Sequence, residues 1–125
     1  MKILIVEDNL INQKIIELCL KKLDYSTVTA VDGKDAIDKF CSNNFDIIMM
    51  DVQLPIMDGI EATRKIRQIE KDNNKVKSVI IAMTANCMRD VIDQCLEAGM
   101  DTYIKKPVKP VELEKQLREI LKKKL

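Results

Sequence analysis

The sequence predicts an α/β protein of three layers, with a five-stranded parallel sheet between two layers of helices. Three observations carry this. Short apolar runs alternate with stretches of helical period through all 125 residues. The central runs are apolar on both faces, as strands covered by helices on each side must be. Turn and cap residues stand at the joins.

The strands are expected at 3–6, 26–31, 46–50, 79–83 and 101–104, each rich in Ile, Val or Met or leading into such a run. Between them come amphipathic stripes. The first holds Ile11, Ile15, Leu18 and Cys19, widened by Leu20 and Leu23. The second holds Ala36, Ile37, Phe40 and Cys41, and the third Ala62, Ile66 and Ile69. Val91, Ile92, Cys95 and Leu96 form the fourth, and Leu113, Leu117, Ile120 and Leu121 the last. Asp32-Gly33 and Asp58-Gly59 mark turns into the second and third helices. Gly99 suits a left-handed cap after the fourth. Pro110 suits the first turn of the fifth. The polar stretch 72–75 reads as a surface loop. Five strands alternating with five helices, joined by right-handed crossovers, fit a doubly wound sheet in the flavodoxin-like order 2-1-3-4-5. With no repeat or low-complexity linker, residues 1–125 are expected to form one domain.

Composition narrows the function. The chain is 46% hydrophobic, enough for a real core. Its 21 basic and 20 acidic residues leave a net charge of +1, which gives no electrostatic case for nucleic acid or an anionic membrane. No run is long enough to span a bilayer, and the opening apolar run is broken by Glu7 and Asp8. The four cysteines, Cys19, Cys41, Cys87 and Cys95, form no Cys-x-x-Cys and fall in or beside apolar periodic segments. They read as reduced, buried thiols of a cytoplasmic protein. Histidine is absent, which removes the commonest general base and metal ligand and means that the chain cannot itself donate from phosphohistidine.

Ligands of doubly wound sheets bind outside the carboxyl ends of the strands. The first strand ends in Glu7-Asp8, the third in Asp51, the fourth in Thr84, and the fifth runs into Lys105-Lys106-Pro107. Singly, each has an ordinary reading: Asp and Thr cap helices and turns, and Lys beside Pro is a solvated loop residue. Together they converge on one rim. Three close carboxylates repel one another unless a cation sits among them. An oxygen-only site favours Mg²⁺, with Mn²⁺ able to stand in. A carboxylate can also take a phosphoryl group as an aspartyl phosphate, with cations and hydroxyls covering the equatorial oxygens.

The stretches IVEDN, MMDVQLPIMDG, IAMTAN and YIKKP, in this order and at these separations, closely resemble the signatures of response-regulator receiver domains over essentially the whole chain. The resemblance implies a phosphoacceptor switch of the two-component type. Asp51 would be phosphorylated by a histidine kinase or histidine phosphotransfer protein. Mg²⁺ would be held by Glu7, Asp8, Asp51 and the backbone carbonyl of Gln53. Thr84 would be the switch hydroxyl, and Lys106, rather than its rival Lys105, would contact the phosphoryl group. The Lys106-Pro107 bond would be cis. Tyr103 matches a position that changes rotamer on activation, while the plainer reading is a half-buried tyrosine at a strand end. Glu7 departs from the more usual aspartate. Gln53 and Asn86 stand where side chains tune phosphate lifetime, and as amides they imply slow self-dephosphorylation. The combination of EDN, Asn12-Gln13 and DGIEATRKIR is similar to receivers of hybrid sensor kinases, so a free-standing receiver and one cut from a larger kinase both stay open. The lysine run 122–124 reads as a solvated helix end.

Two other functions were weighed. A Mg²⁺-dependent phosphatase with an Asp nucleophile needs a second carboxylate two residues on, where this chain has Gln53. A nucleotide or flavin carrier needs a Gly/Ser/Thr-rich loop after the first strand, where Glu7-Asp8-Asn9 would repel phosphate.

Overall fold

A computed structural model describes residues 1–124; the side chains of Leu121, Lys123 and Lys124 and all of Leu125 lie outside the described residues, and with them the places expected for Leu121 and the lysine run. Strands β1 (Lys2–Val6), β2 (Ser26–Ala30), β3 (Ile47–Asp51), β4 (Val79–Thr84) and β5 (Thr102–Lys105) alternate with helices α1 (Leu10–Lys22), α2 (Gly33–Ser42), α3 (Gly59–Asp72), α4 (Arg89–Ala98) and α5 (Pro110–Lys124). The sheet is parallel, in the order β2-β1-β3-β4-β5. The expected fold is therefore the observed one, with strand ends shifted by a residue.

Strand alternation divides the core between the two faces. Leu4, Val6, Ile48, Met50, Ile80 and Ala82 pack against α2, α3 and α4 through residues such as Phe40, Ile66 and Cys95. Ile3, Ile5, Ile47, Met49, Ile81 and Met83 pack against α1 and α5 through Ile16, Leu20, Leu113 and Leu117. Each such fully buried side chain is worth roughly 1.5–3 kcal/mol relative to exposure.

Helix ends follow their cap residues. Asn9, Asp32 and Asp58 accept backbone N–H bonds at the starts of α1, α2 and α3. Gly99 ends α4 at φ 113°, as a left-handed cap requires.

Several stripe assignments need correction. The buried face of α1 is Gln13, Ile16 and Leu20, while Ile11, Ile15 and Leu18 are exposed. Apolar residues surround this helix almost completely, so periodicity alone cannot choose its face. Leu96 on α4 is also exposed, as is Val31, which lies beyond the end of β2. All four cysteines are free as expected, but only Cys95 is buried; Cys41 is exposed, and Cys19 and Cys87 are intermediate.

Candidate functional site

Register brings the acids together. Val6 pairs with Met50, so Glu7 and Asp51, the residues at the ends of neighbouring strands, stand side by side. Both continue the α1/α5 face of the sheet, and both are buried, with relative exposures of 0% and 3%. Asp8, one residue further, is exposed. One oxygen from each of Glu7, Asp8 and Asp51 lies within 4.8 Å of the others. They line a cleft of about 760 Å³ together with Asn12, Gln53 and Lys106.

Thr84 pairs with Lys105, and the backbone N–H of Lys106 donates to the Thr84 carbonyl at 2.9 Å. This carries the Lys106 side chain back across the sheet. Its ammonium donates to Asp51 Oδ2 at 2.7 Å and to both Glu7 oxygens at 3.0 and 3.2 Å. Lys105 is in β5 with its side chain exposed. The Lys106-Pro107 peptide bond is cis.

The approach of α3 depends on a glycine. A Cβ on Gly59 would sit 2.1 Å from the Asp51 carbonyl oxygen, so only glycine lets the helix start so close to the acid. The N–H of Gln53 donates to Asp51 Oδ1 at 3.1 Å, which fixes the carboxylate's second oxygen.

The electrostatics follow from burial and crowding. Burial and then the neighbouring Glu7 carboxylate push Asp51 up to about 7, against the pull of Lys106. Burial also acts to raise Glu7, but hydrogen bonds from Asp51, Asn12 and Lys106 outweigh it and hold Glu7 below the ordinary glutamate value. Of the two acids, Asp51 is therefore the one that takes up a proton more readily. Burial works against the Lys106 ammonium, yet the two carboxylates raise its pKa overall. One ammonium offsets part of the charge of three acids. An all-oxygen donor set of this kind fits a hard divalent cation.

Two expected site residues are not among those that line the cleft. The Thr84 hydroxyl donates to the Asn86 carbonyl and accepts from the Asn86 N–H, both at 3.0 Å. Tyr103 is 42% exposed, and its carbonyl accepts from Gln116. Asn86 is exposed, with its side-chain oxygen capping the Met88 N–H at 3.0 Å.

Two residues of the site were not placed there from the sequence. Asn12 donates to Glu7 Oε1 at 2.7 Å. The amide of Gln13, buried on α1, donates to the Glu7 carbonyl oxygen. In the sequence both served only as marks of resemblance. A usable signal was present: polar amides in the first turn of a helix that directly follows an acidic strand end.

With this geometry established, comparison identifies the class of protein. Residues 3–118 match the response regulator receiver domain, and the chain belongs to that family. Among particular relatives, response regulator mcs4 of Schizosaccharomyces pombe is 39% identical over 94% of this chain and 27% of its own length. Hybrid signal transduction histidine kinase A of Dictyostelium discoideum is 37% identical over 86% of this chain and 5% of its own. The chain thus spans only a small part of these relatives. Among solved structures, the Saccharomyces cerevisiae Ssk1 receiver, in complex with the histidine phosphotransfer protein Ypd1, superposes with TM-score 0.88 and 35% identity, covering 93% of this chain and 85% of that one. The receiver of sensor histidine kinase PA1611 from Pseudomonas aeruginosa, with magnesium in its active-site cleft, has TM-score 0.84 and 41% identity over 94% of each chain. Among the described residues no helix is long and apolar enough to cross a membrane.

Proposed function

We propose that this chain is one receiver unit acting as a phosphoacceptor switch, with Asp51 as the residue phosphorylated. One observation carries the reading: the Asp51 carboxylate, buried at a strand end, touches the Lys106 ammonium at 2.7 Å and shares one oxygen cluster with Glu7 and Asp8.

Glu7, Asp8, Asp51 and the Gln53 carbonyl are the groups that would hold Mg²⁺, with Mn²⁺ as a substitute; its presence in the PA1611 receiver and the oxygen-only cluster support this. When bound, the cation would neutralise charge on the transferring phosphoryl oxygens. The protein's own residues do the rest. Asp51 Oδ attacks phosphorus of a partner's phosphohistidine. The P–N bond breaks, its electron pair leaves with the imidazole, and an O–P bond forms on Asp51. Lys106 stays against one phosphoryl oxygen. Thr84 exchanges its bonds to Asn86 for another, and the loop after β4 moves with it. Tyr103 then turns inward, and the α4–β5–α5 face changes its affinity for a downstream protein. This is a shift between two populated states.

The donor class, a histidine kinase or phosphotransfer protein, is supported by the Ypd1 complex of the Ssk1 receiver and by the hybrid kinases among the relatives. The four free thiols support a reducing, cytoplasmic setting. Gln53 and Asn86 offer amides, not bases, near the phosphate, so the unit stores the phosphoryl group rather than turning over substrate.

The test is mass spectrometry after incubation with acetyl phosphate and Mg²⁺. The wild type gains one phosphoryl mass, and Asp51→Asn gains none. Equal labelling of the variant would refute the assignment, and a phosphate half-life of seconds would refute the storage role.

A further inference from the structure

We propose that Gln13 is a positioning residue for the cation site: through the main chain of Glu7 it sets the spacing of the carboxylates, and so makes the site select Mg²⁺ over a larger cation such as Ca²⁺. The inference rests on the phosphoacceptor reading above. It adds a residue of α1 that donates to the main chain of Glu7 and not to the clustered carboxylates.

Glu7, Asp8 and Asn9 join β1 to α1, and the first two are acids of the cluster. The join is anchored at each end. The Glu7 N–H donates to the Ala30 carbonyl at 3.0 Å, which ties it to the end of β2. The Asn9 side chain accepts from the N–H groups of Ile11 and Asn12 at 2.9 and 3.0 Å and starts the helix. Gln13 spans the distance between these anchors. Its N–H donates to the Asn9 carbonyl at 3.0 Å, and its side-chain amide turns back to donate to the Glu7 carbonyl oxygen. One residue thus grips both ends of the acidic join.

The carbonyl it holds belongs to the peptide unit between Glu7 and Asp8. That unit is planar, so fixing its oxygen fixes the direction in which Asp8 leaves the strand. The direction matters most for Asp8. The Glu7 side chain is held by Asn12 and Lys106, whereas the Asp8 side chain is exposed and no hydrogen bond from another described residue aims it. Gln13 is also an exception to its surroundings. It is 7% exposed, on the face that α1 turns to the core with Ile16 and Leu20, where an apolar side chain is the ordinary choice. An amide stands there instead, and its hydrogen bond goes to the carbonyl that carries Asp8.

Direction decides which cation fits. Mg²⁺ demands near-ideal octahedral geometry with oxygens at about 2.0–2.1 Å, while Ca²⁺ accepts about six to eight oxygens at about 2.3–2.6 Å in flexible arrangements. Without the amide, the Glu7 carbonyl turns to find another donor, and the Glu7–Asp8 peptide turns with it. The Asp8 oxygen then moves relative to those of Glu7 and Asp51. The stricter ion loses more by this than the tolerant one.

The experiment compares the full chain with Gln13→Met, which keeps the length of the side chain and removes its donor. Titration with Mn²⁺, followed by electron paramagnetic resonance, gives the reference affinity, and displacement of Mn²⁺ by Mg²⁺ and by Ca²⁺ gives the other two. In the variant, Mg²⁺ affinity should fall by about tenfold or more, the loss typical of removing a partner behind the metal-binding groups. Ca²⁺ affinity should fall by less than about threefold. Unchanged Mg²⁺ affinity overturns the proposal. An equal fall for both ions also overturns it, because a merely loosened fold would give that result. The wild type supplies a second check that does not depend on how the variant folds. In heteronuclear NMR its Gln13 side-chain amide should exchange slowly with solvent and shift when Mg²⁺ is added. Rapid exchange both with and without Mg²⁺ overturns the proposal. A wild type that binds none of the three ions would strike the cation site of the phosphoacceptor reading, and this inference with it; a wild type that binds Mg²⁺ while either of the other tests fails strikes this inference alone.

Discussion

Charged side chains gather at both ends of the sheet, and the two groups are built differently. At the carboxyl ends, Lys106 bridges Glu7 and Asp51, and the acids face one another. At the amino ends, Arg67 of α3 gathers Glu70, Asp101 and two carbonyls. It donates to Gly99 O at 2.9 Å, Ser78 O at 2.7 Å, and the carboxylates of Glu70 and Asp101 at 2.8 Å each. Those carboxylates also accept backbone N–H bonds, from Ser78 at 2.7 Å and from Ile80 at 2.9 Å. The planar guanidinium fork meets fixed acceptors and ties α3, the start of β4 and the entry to β5 into one unit. The carboxyl-end group has a single ammonium and one backbone donor for its paired acids, and Asp51 is pushed up to about 7. A saturated cluster holds the fold; a cluster short of positive charge is poised to take a cation and a phosphoryl group.

The largest expected effect breaks the saturated side. Arg67→Met should cost about 3 kcal/mol in urea unfolding, because it leaves the charge of buried Glu70 without its cation and two backbone carbonyls without this donor. Mg²⁺ should stabilise this variant by no more than it stabilises wild type. Lys106→Met should cost less, roughly 1–2 kcal/mol at pH 8, because Asp51 can relieve the charge by keeping a proton. Here, at one fixed Mg²⁺ concentration, the cation should stabilise the variant more than wild type, because no ammonium competes with it for the two acids, and at a hundred times the Kd binding to the folded form alone is worth about 2.7 kcal/mol. If Mg²⁺ stabilises the two variants equally above wild type, the contrast between the clusters is wrong.

The pH dependence sharpens the same contrast. Asp51 has a folded pKa near 7, above its unfolded value, so the folded state binds the extra proton. Its contribution to stability is complete below about pH 4 and lost as pH rises through 7. Removing the charge should therefore help most at high pH. Without divalent cations, Asp51→Asn should raise the melting temperature by about 4 °C, or roughly 1 kcal/mol, at pH 8 and by little at pH 5. An equal gain at both values, in calorimetry across the range, would show that burial and the neighbouring Glu7 do not raise Asp51.

What could be read in the sequence divides along similar lines. Alternating apolar runs gave the layers and strand order, because a sheet buried on both faces leaves an unbroken signal. The carboxyl-end acids were legible because each directly ends a strand. The Arg67 cluster was not, since Arg67 and Asp101 meet across 34 residues of sequence, and Arg67 with Glu70 looks like any i,i+3 pair on a helix. The α1 face was misread for the opposite reason: apolar residues lie all round it, and the choice is settled by a polar one, Gln13, whose amide serves Glu7.

The smallest effect on the fold should come with a clear effect on the site. Asn12 is partly exposed, so Asn12→Leu, which keeps the size and removes the donor, should change stability by less than about 0.5 kcal/mol. Its amide nevertheless orients Glu7 Oε1, at 2.7 Å. Losing a partner that orients a metal-binding carboxylate typically weakens affinity by about tenfold or more. Titration with Mn²⁺, followed by electron paramagnetic resonance, reads this without any phosphorylation step. Glu7→Gln serves as the reference for full loss of that carboxylate's charge. Freed from Asn12, Glu7 is left to Lys106 and Asp51, and the ammonium then competes with the cation for both acids. An Asn12→Leu protein that binds Mn²⁺ as tightly as wild type, while Glu7→Gln does not, would show that Lys106 and the strand end orient Glu7 without the amide.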